Sequence, residues 1–242
     1  LIAWDAMNDP LELGKRRAAM SAAALVEPGM VVGLGSGSTA ALIVSALGDR
    51  MAREGLSFVG VPTSGATHEL ALEVGIRLIG LNDVPSLDLV LDGADEVDPL
   101  FRMIKGRGGA FLREKMVAAS GRRRVIVITP EKRVDRLGLK NRVPIEVSEF
   151  ALRPIENAIR GLGGEPELRR EEDGTTITRT DEGHRILDCR FIGISGPEEL
   201  DAQLKRIPGV FETGLFVGLC DQLLIGSDAG AQLLDRPMGP EV

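Results

Sequence analysis

Along the first 138 residues, short apolar runs alternate with longer stretches whose apolar positions recur at helical spacing. "GMVVGLG" (29–35) predicts a strand, and "STAALIVSALGDRMAREG" (38–55) a helix ended by Gly55. "LSFVGVP" (56–62) predicts the next strand. "SGATHELALEVG" (64–75) predicts a helix with Ser64 as its N-cap and Gly75 as its stop. Strands are expected at 76–81, 87–92 and 123–129, with the helix "GAFLREKMVAAS" (109–120) between the last two. Strands that are continuously apolar and separated by helices imply a parallel sheet covered on both faces.

The pattern changes near residue 139. "VPIEV" reads as a strand and "SEFALRPIENAIRGLGG" as a helix. "PELRRE", "TTITRT" and "RILDCRF" read as three short strands joined by "EDG" and "DEG" turns. "GPEELDAQLKRIPG" predicts a further helix and "FETGLF" a strand. This is the pattern of a small α+β unit of ferredoxin-like type. "CDQLLIGSD" (220–228) is apolar again and is expected to return to the first sheet. The expected architecture is therefore an α/β domain over 1–138, completed by 219–242, with an α+β unit inserted at 139–218.

Composition narrows the function classes. The 242 residues carry a net charge of -7, and aromatics make up 3% with no Tyr, so neither phosphate neutralisation nor base stacking is provided for. No nucleic-acid partner is expected. No apolar run approaches the ~20 residues that span a bilayer, so no membrane partner is expected either. The N-terminus lacks the basic-then-apolar order of a signal peptide and starts without Met, which reads as a processed or trimmed end. Cys189 and Cys220 show no metal spacing and read as isolated buried thiols of a cytoplasmic protein. "GRRRV" (121–125) reads as a solvated helix end. His68 and His184, the only histidines, read as incidental to the chemistry.

Three segments carry candidate chemistry. "GLGSGSTA" (33–40) is a glycine-rich turn between a strand and a helix, where backbone N–H groups form an anion site. Gly35, Gly37 and Ala40 satisfy the dinucleotide pattern, yet the second strand ends without the acid that would hold a ribose. Hydroxyls from Ser36, Ser38 and Thr39 suit a terminal phosphate, and a purely structural turn is the remaining alternative. "LDGADEVDP" (91–99) places Asp92 at the carboxyl edge of the sheet, where open parallel sheets bind ligands. Asp92 and Asp95 would share a face if the chain turned helically there, while Glu96 and Asp98 read as turn and solvent residues. The calcium-loop spacing is absent and no metal is expected. "MIKGRGGAFLREKMV" (103–117) sets Lys105 before Gly106, Gly108 and Gly109, a loop of bare N–H groups suited to an oxyanion. Glu114 follows in the helix, and the combination resembles sites for proton abstraction next to a carbonyl.

Taken in order and spacing, "GLGSGSTA", "LDGADEVD", "IKGRGGAFLREKMVA" and "PEKRVDRLG" resemble ribose-5-phosphate isomerase of the A type. The resemblance implies a Rossmann-like domain carrying a smaller α+β lid. It also implies aldose–ketose isomerisation of ribose 5-phosphate and ribulose 5-phosphate without a cofactor, in the non-oxidative pentose phosphate pathway. It further implies a phosphosugar loop at Ser36, Gly37, Ser38 and Thr39, and sugar-site residues at Asp92, Gly93, Ala94 and Asp95. Lys105, Gly106, Arg107 and Gly108 match the next binding segment. Glu114 matches the general base, Lys132 a binding lysine, and Lys15 a further phosphate contact. Arg107 stands where a glycine is common, so its side chain must point away or help bind anion. Homodimers or homotetramers are implied as well. The alternatives are a non-catalytic sugar-phosphate sensor, which would need a DNA-binding unit that the short leader cannot supply, and an NAD-dependent enzyme.

Overall fold

The computed structural model describes residues 9–237, so the segment read for signal-peptide order lies partly outside it. The elements begin with α1 (Pro10–Ala23), β1 (Val31–Leu34), α2 (Gly37–Glu54), β2 (Val59–Pro62), α3 (Gly65–Glu73) and β3 (Arg77–Leu78). Then come β4 (Leu89–Gly93), β5 (Glu96–Val97), β6 (Met103–Ile104), α4 (Phe111–Ala119), β7 (Arg124–Ile128) and β8 (Val143–Val147). The chain continues with α5 (Leu152–Gly161), β9 (Glu165–Leu168), β10 (Arg185–Arg190) and α6 (Pro197–Lys205). It ends with β11 (Val210–Thr213), β12 (Leu215–Phe216), β13 (Gln222–Ser227) and β14 (Gly230–Asp235).

Two compact units form. The first takes the chain up to Ala94, Arg113–Arg133 and the part from Leu219 onward. Its seven-stranded sheet runs β14-β13-β7-β4-β1-β2-β3. Every pairing is parallel except the β13–β14 hairpin. All five residues of β4 are buried, as the unbroken apolar run predicts for a central parallel strand. Leu34, Leu89, Leu91 and Val125 of the sheet meet Ile43, Val44 and Leu47 of α2 in one core. Each such side chain contributes about 1.5–3 kcal/mol on burial. Helix α1 starts where Asp9 accepts the Leu11 N–H at 3.0 Å and Pro10 presets the first turn. The return of 220–228 to this sheet holds, as β13. Strand β14, which completes the hairpin, carries no apolar alternation strong enough to predict it.

The second unit comprises Asp95–Leu112 and Val134–Gly218. A four-stranded antiparallel sheet, β11-β8-β10-β9, packs Val143, Ile145, Val147 and Leu187 against Ile155 and Ile159 of α5 and Leu204 of α6. A small sheet, β12-β6-β5, draws 95–104 into this unit, whereas the sequence pattern ran the first unit to 138.

Local polar chemistry accounts for the other departures. "FETGLF" is two strands in two sheets, broken at Gly214, where a Cβ would collide with the Lys105 carbonyl oxygen and the Pro144 ring. "TTITRT" forms only a single bridge, Arg170 with Ile177. Asp173 Oδ1 accepts the Thr175 and Thr176 N–H groups at 2.8 Å each, and Oδ2 accepts the Thr176 hydroxyl at 2.6 Å. Those bonds, the Thr176 hydroxyl first, hold the Asp173 carboxyl down to about 2. They also occupy N–H groups that a ladder would need. His184 follows the "DEG" turn, its Nδ1 2.8 Å from Glu146 Oε1 and its ring stacked on Phe211. Both thiols are free and buried, and burial pushes Cys220 up to about 12.

Glu96 and Asp98 are not solvent residues. Glu96 is fully buried in β5 and accepts the N–H groups of Gly138 (2.8 Å), Lys140 (2.7 Å) and Asn141. Asp98 does close a turn, accepting Leu100 and Arg102 N–H groups, but it is buried and ion-paired with Arg102 at 2.6 Å. Removing the Glu96 carboxylate leaves three N–H donors of the 138–141 segment without their acceptor, around a fully buried site. Glu96→Ala is therefore expected to lower stability by about 3–5 kcal/mol, read by urea denaturation. A loss under about 1 kcal/mol would show that water replaces the carboxylate at no cost.

Candidate active site

In the first unit, the 36–39 turn, Asp92 with Gly93, and Lys132 lie at the carboxyl ends of neighbouring strands β1, β4 and β7. From β1 the sheet grows one way through β2 and β3, and from β4 the other way through β7 and β13. The point between β1 and β4 is thus the topological switch, where open parallel sheets leave a crevice. Asp92 is the last residue but one of β4 there, 2% exposed. Its Oδ1 accepts the Gly93 N–H at 2.7 Å and the Ser36 N–H at 3.2 Å. This seats the carboxylate against the β1–α2 turn. Close approach explains Gly35, because a Cβ there would fall inside the Asp92 carboxylate.

Ser36 is the N-cap of α2, and Gly37, Ser38 and Thr39 form its first turn. The N–H groups of such a turn have no intrahelical acceptors and carry the positive end of the helix dipole. Ser36 Oγ lies 2.6 Å from Thr63 Oγ1, which donates to the Leu34 carbonyl at 3.0 Å. Thr67 Oγ1 donates to the Gly35 carbonyl at 2.8 Å. The turn is thus braced from the β2–α3 segment. The sequence reading does not single out Thr63 and Thr67; their signal is the hydroxyl-rich "PTSGAT", in which only the Ser64 cap and the missing acid are read. Thr39 packs beside Gly93, its Cβ 3.5 Å from where a Gly93 side chain would begin. The 36–39 turn and the Asp92–Gly93 strand end therefore form one assembly.

Glu114 occupies the first turn of α4 and is 4% exposed. Lys132 ends the single turn that follows β7, half-buried. Lys15 lies on α1 with its Nζ paired to Glu12 at 2.6 Å, and this ammonium makes no bond to the 36–39 turn.

The second unit holds the other candidates. Asp92 and Asp95 do not share a helical face: the chain is extended through β4, passes Ala94, and pairs again as β5. Asp95 donates its N–H to the Ile104 carbonyl, and its Oδ2 accepts the Arg107 N–H at 3.1 Å. Asp95 thus braces the glycine loop through its backbone. Lys105 is 4% exposed, its N–H bonded to the Gly214 carbonyl at 2.9 Å and its Nζ 5.5 Å from the Phe216 ring centre. The ring face attracts a cation placed there. Gly106 is buried, while Arg107 and Gly108 are exposed. A cavity of about 340 Å³ opens beside this loop, lined by Asp95, Arg107, Asn141, Arg169 and Asp188 among others. Among the described residues, no group of three or more His, Cys, Asp or Glu side chains is arranged to hold a metal.

The family model for Ribose 5-phosphate isomerase A (phosphoriboisomerase A) matches residues 59–230. The chain belongs to the ribose-5-phosphate isomerase A family. It is 45% identical over 228 residues to Ribose-5-phosphate isomerase A of Thermosynechococcus vestitus, covering 93% of this chain and 96% of the relative. It is 48% identical over 226 residues to that of Roseiflexus castenholzii, with the same coverage. Among solved structures, a D-ribose-5-phosphate isomerase in complex with phospho-erythronic acid superposes with a TM-score of 0.90 at 37% identity. That alignment covers 93% of this chain and 99% of the other. The isomerase of Methanocaldococcus jannaschii gives 0.87 at 37% identity, over 91% and 97%. As a member of this isomerase family the chain is an enzyme, and its α/β architecture with separate antiparallel sheets is that of its structural neighbours.

Proposed function

We propose that the chain interconverts D-ribose 5-phosphate and D-ribulose 5-phosphate through an enediolate, with Glu114 as the base and Asp92 at the sugar. The observation that supports this reading is that the first unit buries two carboxylates near glycine-rich segments. Asp92 is buried at the switch point against the anion-binding turn, and Glu114 is buried in the first turn of α4. The 36–39 turn, with Lys132, suits the phosphate. Asp92 moves the proton that opens the furanose ring. Glu114 then takes the proton from C2 and returns it to C1. Holding the remote phosphate contributes positioning, which lowers the barrier without touching the reacting carbons.

Lys105 and the 106–108 loop lie in the short stretch of chain between Asp92 and Glu114. Their chemistry, an ammonium and glycine N–H groups, suits the negative charge that grows on the C1 and C2 oxygens. The phospho-erythronic acid complex of the structural neighbour supports a phosphorylated four- or five-carbon acyclic ligand. Homodimers or homotetramers and a cytoplasmic location belong to the same proposal and rest on the family resemblance alone.

The test is conversion of ribose 5-phosphate by purified protein, before and after exhaustive chelation. Turnover is expected, unchanged by the chelator. Absence of turnover would sink the reading in favour of a sugar-phosphate sensor, and turnover lost to the chelator and restored by a divalent ion would replace the enediolate route by a metal-assisted one.

A further inference from the structure

Arg169, the residue that follows β9, has a side chain only 14% exposed. Its Nε donates to Asp188 Oδ2 at 2.8 Å and its Nη2 to Oδ1 at 2.5 Å, a two-pronged pair with the β10 carboxylate. The remaining nitrogen, Nη1, donates to two carbonyls of the glycine loop, Gly106 at 2.9 Å and Arg107 at 3.0 Å. The Gly106 carbonyl also accepts the Gly109 N–H at 3.0 Å, and the Arg107 N–H goes to Asp95. One guanidinium therefore ties a strand carboxylate to two consecutive peptide groups.

A trans peptide is planar, with its N–H directed opposite to its C=O. Gripping the Gly106 carbonyl aims the Arg107 N–H away from Arg169, toward Asp95. Gripping the Arg107 carbonyl likewise aims the Gly108 N–H to the side away from Arg169. A flexible glycine loop would otherwise sample both orientations of that peptide. Donors stabilise a developing oxyanion only if already oriented when the charge appears. We infer that Arg169, held by Asp188, is a positioning residue that sets the direction of the Gly108 N–H in the oxyanion loop.

The inference rests on the isomerase reading for its catalytic consequence, but its geometric core stands apart from it. Lysine keeps the charge and cannot bridge a carboxylate and two carbonyls together. In Arg169→Lys, kcat is expected to fall about 10–100-fold with KM changed less than about threefold. Amide hydrogen exchange over 105–109 should quicken about tenfold while β8 and β10 keep their protection. Asp188→Asn should act the same way, and adding it to Arg169→Lys should lower kcat little further, because both break one clamp. In Arg169→Ala, millimolar guanidinium should restore part of kcat and sodium chloride should not.

A folded Arg169→Lys with wild-type kcat overturns the inference. So does a loss of kcat with unchanged exchange at 105–109, or one that spreads to β8 and β10 as general loosening. Where Arg169→Lys does not fold, Asp188→Asn carries the same readouts. A wild-type chain that does not turn over ribose 5-phosphate defeats the isomerase reading alone, since the exchange measurement still decides the clamp.

Discussion

Glu114→Gln should retain its fold and lose about 10²-fold or more of its turnover of ribose 5-phosphate. Glutamine matches glutamate in shape and keeps a carbonyl acceptor, so the packing of a 4%-exposed side chain in the first turn of α4 is preserved. The amide cannot take up a proton at neutral pH. Proton transfer from C2 to C1 therefore loses its carrier, and what remains is catalysis by positioning and electrostatics alone. The readouts are kcat for ribose 5-phosphate and exchange of the C2 hydrogen with deuterated solvent, both lowered together. Near-normal turnover in a folded Glu114→Gln would remove Glu114 from the mechanism and return the base to one of the aspartates.

Gly35→Ala carries the second large effect, although Gly35 holds no chemistry. A methyl there would overlap the Asp92 carboxylate itself, in a core where β4 is buried along its whole length. Either the β1–α2 turn or Asp92 has to move. Moving Asp92 breaks its bonds to the Gly93 and Ser36 N–H groups, at 2.7 and 3.2 Å. A displacement of about an ångström in a reacting group costs roughly 10²-fold in rate, and overpacking costs about 1–3 kcal/mol in stability. Asp92→Asn, which keeps the volume, provides the comparison. Kinetics and urea melts on both variants separate chemistry from packing. Wild-type kcat/KM in Gly35→Ala would mean that the carboxylate can shift without consequence, and so has no part in ring opening.

Much of this was legible in the chain. The continuous apolar runs of β1, β4 and β7 can be buried only in a sheet covered on both faces, and their ends are where Ser36, Asp92 and Lys132 lie. Glu96 and Asp98 were misread because a carboxylate in a turn looks the same in sequence whether water or N–H groups satisfy it. The donors that claim Glu96 come from 138–141, some forty residues on. "TTITRT" shows the opposite error. Its β-branched pattern favours a strand, but the Asp173 side chain two residues earlier captures the same backbone N–H groups.

The sequence by itself determined where the candidate groups stand along the chain and in what order, because glycine-rich turns, carboxylates at strand ends and a Lys before a glycine loop are local features. Tertiary structure alone decided how those groups are held. Thr63 and Thr67 brace the β1–α2 turn, and Asp95 fixes the loop through the Arg107 N–H. Arg169 grips that loop from more than sixty residues away. These partners are set by pairing of distant strands, and no periodicity within a short window records which strand lies beside which.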